Sequence, residues 1–97
     1  MIAQKTIDAV LDAVQIYDVV KDFVQLRRSG SGWTGLCPFH SERTASFHVD
    51  PRRNIYKCFS CGEGGGAVRF LMENRNMSYP DAIRHIAGLY NIPVEEA

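Results

Sequence analysis

Apolar residues near the start of the chain recur with the period of an α-helix. Two sets follow the spacing i, i+3, i+4, i+7: Ile7, Val10, Leu11 and Val14, then Ile16, Val19, Val20 and Phe23. This spacing puts one apolar face on each helix. The pattern therefore predicts two short helices with a break near residues 13–15.

After these helices the period shortens to two, which is typical of strands. Residues 25–29 and 33–36 flank a glycine-bearing loop and predict a hairpin. Residues 46–49 alternate polar and apolar positions, and residues 55–59 are rich in strand-forming side chains. The turn residues Asp50–Asn54 lie between these two segments. The middle of the chain is predicted to be a small antiparallel sheet in which Phe47 and Val49 are buried.

Helical spacing returns after the glycines of residues 62–66. These glycines suggest a phosphate loop, but no Lys-Ser/Thr follows them, so a flexible turn into a helix is the better interpretation. A last helix begins at Ser78, where a serine cap precedes an acid and a first-turn proline, and Pro93 ends it. The prediction is one α+β domain over residues 1–97: a helical pair in 1–24, a sheet in 25–62 and a helical pair in 66–92.

Composition sharpens this picture in two ways. A chain of 97 residues builds a small core, so a staple such as a metal is expected. The net charge is zero, but residues 25–57 hold four more basic than acidic residues, and the segments on either side each hold two more acidic than basic residues. A segregated basic block favours a phosphate-bearing partner. The opening is polar and no stretch is long and apolar enough to span a bilayer, so we expect a cytoplasmic protein without a membrane partner.

Three cysteines and a histidine form two pairs with metal-ligand spacing. Cys37 and His40 are separated by two residues, and so are Cys58 and Cys61, with seventeen residues between the pairs. Each pair can aim two donors at one tetrahedral ion, which predicts a closed, structural Zn²⁺ site. Its ligands would be Cys37, His40, Cys58 and Cys61, and the metal would supply on the order of 10 kcal/mol or more to folding.

The basic sheet has two interpretations. Lys57 is predicted to point away from the face that holds Tyr56 and Cys58, and the first hairpin brings Arg28 and Trp33 alongside. Cations and an aromatic ring on one surface suit single-stranded nucleic acid. In the alternative, Trp33 is a core residue and the arginines only solubilise the domain.

Specific residues of the chain resemble the amino-terminal zinc-binding domain of bacterial DNA primases. The motifs are Cys-Pro-Phe-His at 37–40, Glu-Arg-Thr at 42–44, Tyr-Lys-Cys-Phe-Ser-Cys-Gly at 56–62 and Met-Ser-Tyr-Pro-Asp-Ala at 77–82. The likeness implies a zinc ribbon on an antiparallel sheet, flanked by short helices. It departs from the family at Ala45, where proline is usual, and at Gly66, where asparagine is usual.

The resemblance implies a non-catalytic module that binds the single-stranded DNA template and helps to select the initiation site of a longer primase. Expected partners are the template, the polymerase domain in cis or in trans, and the replicative helicase. The residues expected to contact nucleic acid are Arg27, Arg28, Trp33, Arg43, His48 and Lys57. A standalone zinc-ribbon adaptor that binds another protein is the alternative, and a self-contained enzyme is a weaker one because no catalytic set stands out.

Overall fold

The computed structural model describes residues 1–39 and 45–97. Its elements are, in chain order, α1 (Gln4–Ala13), α2 (Ile16–Val20), β1 (Arg27–Ser29), β2 (Gly32–Gly35), β3 (Phe47–Asp50), β4 (Ile55–Cys58), β5 (Gly64–Gly65), α3 (Ala67–Asn74) and α4 (Tyr79–Leu89). The predicted α+β class and antiparallel sheet are confirmed.

The five strands form one antiparallel sheet in the order β1-β2-β3-β4-β5. Period-two alternation gives it two distinct faces. One carries Phe47, Val49, Tyr56 and Cys58, all of them buried under the helices. We call it the covered face. The opposite side carries Lys57 and is called the open face.

The sequence interpretation misses β5, because it assigns residues 62–66 to a flexible turn. It pairs with β4 through Tyr56↔Gly65 and Lys57↔Gly64. Gly65 has φ +153°, and a Cβ there would collide with the Arg69 side chain, so glycine is required. Both residues of β5 are glycines and pair through the backbone alone, so the strand has no hydrophobic pattern in the sequence.

The predicted break between the first two helices is confirmed, and it is tied to the rest of the domain. The Asn54 side chain accepts a hydrogen bond from the Ile16 amide (2.6 Å) and donates one to the Val14 carbonyl (2.7 Å). The Tyr90 hydroxyl accepts from the Gln15 amide (2.9 Å). The turn between β3 and β4 and the end of α4 therefore both hold the α1–α2 connection.

The last helix begins as predicted, because the Ser78 hydroxyl accepts a hydrogen bond from the Asp81 amide (3.2 Å). One expectation at this end of the fold is wrong. His85 falls off the apolar stripe of the last helix, which predicts a solvent-facing imidazole, but it is half-buried and its ring centre lies 5.9 Å from that of Phe23. Phe23 follows α2 and brings an aromatic surface against α4, which covers the imidazole.

Candidate metal centre and nucleic-acid interface

Three thiols converge at one end of the sheet. Cys37 follows β2, Cys58 ends β4, and Cys61 lies in the turn that leads to β5; their sulfur atoms all lie within 4.8 Å of one another. The turn is closed by a hydrogen bond from the Gly62 amide to the Cys58 carbonyl (2.8 Å), and Gly62 has φ +81°. Cys37 therefore meets Cys58 and Cys61 because the end of β2 and the end of β4 flank the start of β3.

The spacing of the sulfurs fits zinc. With Zn–S bonds of about 2.3 Å and tetrahedral angles, two thiolates on one ion lie about 3.8 Å apart. The Cys37 and Cys61 sulfurs are 3.7 Å apart. Cys37 and Cys58 are buried and Cys61 is exposed, so the site sits at the border of the core. His40, the predicted fourth ligand, lies outside the described residues.

The protein environment treats the two buried thiols differently. Burial raises the pKa of Cys37 to about 12. Burial acts in the same direction on Cys58, but hydrogen bonds from Ser60, from the Cys61 amide and from the Cys37 thiol outweigh it and lower the pKa of Cys58 to about 6. Zinc binds thiolates, so the hydrogen bonds that favour the thiolate of Cys58 also favour binding of the metal.

The open face carries a row of side chains that crosses four strands. The register aligns Arg27 with Thr34, Thr34 with His48, and His48 with Lys57. Three inter-strand spacings put the backbones of Arg27 and Lys57 about 14 Å apart. Both cations are exposed, and within the described residues neither forms an ion pair. The row is therefore a cationic track with a polar centre.

Phe59 is the residue of this face that the sequence interpretation missed. Its side chain is 67% exposed and meets the His48 ring edge-on at 4.8 Å. The signal was available, because Phe59 follows Lys57 by two residues and a period of two puts both on one face. A groove of about 300 Å³ lies beside it, bounded by Ser29, Ser31, His48, Asp50, Lys57 and Phe59.

The expectation that Lys57, Arg28 and Trp33 share one surface is wrong. Trp33 pairs with Val49 on the covered face, and Arg28 pairs with Trp33. The indole stacks on the Tyr17 ring at 4.3 Å. Trp33 pairs with Val49, and Val49 pairs with Tyr56, so the three side chains share the covered face. Lys57 lies on the open face, on the other side of the sheet. Arg43, another predicted contact, lies outside the described residues.

In the part of the chain that the structure describes, the helices are too short and too polar for any of them to cross a membrane.

Comparisons with known proteins agree with the metal site. A family model described as CHC2 zinc finger matches residues 2–97. The DNA primase of Clostridium acetobutylicum is 42% identical over 96 residues, which cover 99% of this chain and 16% of that protein. The DNA primase of Geobacillus stearothermophilus is 44% identical over 87 residues, 90% of this chain and 15% of its own length.

A solved structure, the zinc-binding and RNA polymerase domains of the Aquifex aeolicus primase, matches with a TM-score of 0.83 at 35% identity; it covers 95% of this chain and 22% of the other. The chain spans about 16% of the first curated relative that it matches. The family match covers nearly the whole chain, and the cysteine cluster has the donors that zinc requires. The chain therefore belongs to the CHC2 zinc finger family and is a zinc-binding domain similar to those of DNA primases.

Proposed function

We propose that this domain binds the single-stranded DNA template of a primase and takes part in choosing where primer synthesis starts. The observation that carries the proposal is the open face, where Arg27 and Lys57 lie exposed around His48 and Phe59 and, among residues 1–39 and 45–97, form no ion pair. Cations that track a phosphate backbone, beside a ring that can stack on a base, are the features that bind single strands.

The proposed role is non-catalytic and belongs to a longer cytoplasmic protein. The solved relative combines zinc-binding and RNA polymerase domains, which supports a polymerase domain as the partner that makes the primer. The replicative helicase stays a prediction. The zinc would act as a structural ion, with Cys37, Cys58 and Cys61 as ligands and His40 as the proposed fourth.

The decisive experiment removes the charge of Lys57 while keeping the chain length of its side chain. On single strands each neutralised phosphate adds about 0.7 to the slope of log affinity against log salt. We expect Lys57→Met to weaken binding of a short labelled oligonucleotide in fluorescence-anisotropy titrations and to reduce that slope by about 0.7.

Lys5→Met is the matched control. Lys5 pairs with Glu95 (2.8 Å) beside the chain termini, away from the sheet, so this variant should bind like the parent. Zinc content is measured on both variants. If Lys57→Met keeps its zinc and binds like Lys5→Met, the open face is not the template surface, and the protein-adaptor alternative replaces this proposal.

A further inference from the structure

A second group of cations lies around the edge of the sheet, on its helix side. Lys21 Nζ lies 5.6 Å from the centre of the Tyr17 ring, that ring stacks on Trp33 at 4.3 Å, and the Arg28 guanidinium carbon lies 5.4 Å from the indole centre. We call these four residues the edge stack. Cation–π contact of this kind holds each long side chain against a ring.

The charges of the edge stack are available to a partner. Lys21 and Arg28 are both exposed, and the described residues contain no ion pair that involves either of them. The Arg28 Nε donates a hydrogen bond to the Gly30 carbonyl (3.3 Å). The bond goes to a neutral carbonyl, so it leaves the positive charge of the guanidinium uncompensated.

The edge stack continues the cationic track of the open face. Arg27 and Arg28 are successive residues of β1, so their side chains leave opposite faces of the same strand. The strand is only three residues long, is exposed throughout and ends the sheet. Positive charge therefore runs from Lys57 across to Arg27, around the edge to Arg28, and on to Lys21.

We propose that a single strand crossing the open face continues around the β1 edge, where its phosphates contact Arg28 and Lys21. This inference rests on the proposed function and gives the site a second half. The contact is to the backbone, because Tyr17 already covers a face of the Trp33 ring and leaves that face no room for a base. The binding site is consequently longer than the open face alone.

The test compares four-nucleotide and twelve-nucleotide oligothymidylates over a range of salt concentrations. The short strand prefers the open face, which offers two cations and Phe59, and the long strand reaches both halves. The variants are Lys21→Met and Arg28→Met, which remove one positive charge each, keep an unbranched side chain at an exposed position and should preserve the fold. Thermal melting checks this, and Lys5→Met is the control for loss of one positive charge.

We expect each edge variant to lower the salt slope for the long strand by about 0.7 and to weaken its binding several-fold, with short-strand affinity unchanged. Trp33 is the single tryptophan of the chain, so its fluorescence should change with the long strand and not with the short one. In contrast, Lys57→Met should weaken both lengths.

Two outcomes would overturn the inference. One is long-strand binding by both edge variants that matches Lys5→Met; the other is equal weakening of both lengths. In either case the proposed function survives if Lys57→Met still weakens binding. If Lys57→Met has no effect on either length, the proposed function itself fails.

Discussion

Phe59 presents an aromatic ring that the fold does not use for its core. With 67% of its side chain exposed and an edge contact to His48, its removal should cost the folded state little. Stacking on a base contributes about 1–3 kcal/mol and releases no counterions. We therefore expect Phe59→Ala to weaken single-strand binding five-fold or more in anisotropy titrations, with an unchanged salt slope.

Leu36 provides the control for that prediction. It is 52% exposed and apolar, but it has no ring to stack on a base. Leu36→Ala should bind single strands like the parent. Equal losses in the two variants would show that exposed apolar area, and not stacking, is responsible.

Asn54 is the residue on which the contact between sheet and helices most visibly depends. It has φ +60° and makes two hydrogen bonds to the α1–α2 connection. Asn54→Ala loses both bonds and forces alanine into a left-handed conformation, which should lower the free energy of unfolding by about 2–4 kcal/mol. Denaturant titration measures this value.

The variant Asn54→Gly separates the loss of the two hydrogen bonds from the strain of the left-handed backbone. Asn54→Gly tolerates the positive φ and loses only the hydrogen bonds, so it should be destabilised by about 1–3 kcal/mol. Asn76 has φ +57° and no side-chain hydrogen bond within the described residues, so Asn76→Gly should be close to neutral. A neutral Asn54→Gly would mean that the two bonds contribute nothing to stability.

Among the elements, α3 and α4 differ at the N-cap residue that precedes each helix. Ser78 caps α4, whereas Gly66 precedes α3 with an extended backbone (φ −91°, ψ −173°) and no side-chain cap. A Cβ at Gly66 would meet only the Asn54 carbonyl oxygen, at an ordinary 3.9 Å. We expect Gly66→Asn to stabilise the domain by a few tenths of a kcal/mol, and Ser78→Ala to destabilise it by about 1 kcal/mol.

Thermal melting of both variants tests the capping prediction. Ser78→Gly is the comparison variant. It also lacks the hydroxyl, but glycine at an N-cap costs only a few tenths of a kcal/mol, so it should be less destabilised than Ser78→Ala. A destabilised Gly66→Asn would indicate that this backbone cannot present a side chain to the amides of α3.

The elements that a local pattern specifies could be predicted from the sequence, and a pairing that no local pattern specifies could not. Helical periods gave the four helices, and the short turn of residues 50–54 set Phe47 and Val49 against Tyr56. The register between β2 and β3 was not readable, because a long connection that includes the metal ligands separates them and no tight turn specifies their pairing. For this reason the sequence analysis places Trp33 on the surface of Lys57, whereas the structure has it on the covered face.

At the scale of the whole molecule, the chain ends meet. The Ala3 amide donates to the Glu95 carbonyl (2.8 Å), the Ala97 amide donates to the Met1 carbonyl (2.7 Å), and Ile2 and Glu96 form an isolated bridge. Sequence patterns gave no sign of this pairing, because two single residues far apart in the chain carry no period. It ties the residue before α1 to the segment after α4, and α1 and α4 also pack against each other.

The cysteine cluster is packed into the hydrophobic core. Cys37 and Cys58 belong to the same buried cluster as the apolar residues of all four helices. The Phe39 ring, beside the site, packs against the rings of Tyr56 and of Phe70 in α3, with ring centres 5.8 Å and 6.1 Å apart. Loss of the ion should therefore reach the helices through packed side chains.

Removing zinc should consequently unfold the helices as well as the sheet. Structural zinc contributes about 10–16 kcal/mol, which equals or exceeds the total stability of about 5–15 kcal/mol typical of a domain. We expect chelator to abolish near-ultraviolet and far-ultraviolet circular dichroism in a single transition, and added zinc to restore both. Native mass spectrometry should find one zinc per chain before chelation. Cys58→Ser should behave like the chelated protein, and Lys5→Met should respond like the parent. If the far-ultraviolet helical signal persists after the metal has left, the helices fold independently of the site and the cooperative unit is smaller than the core suggests.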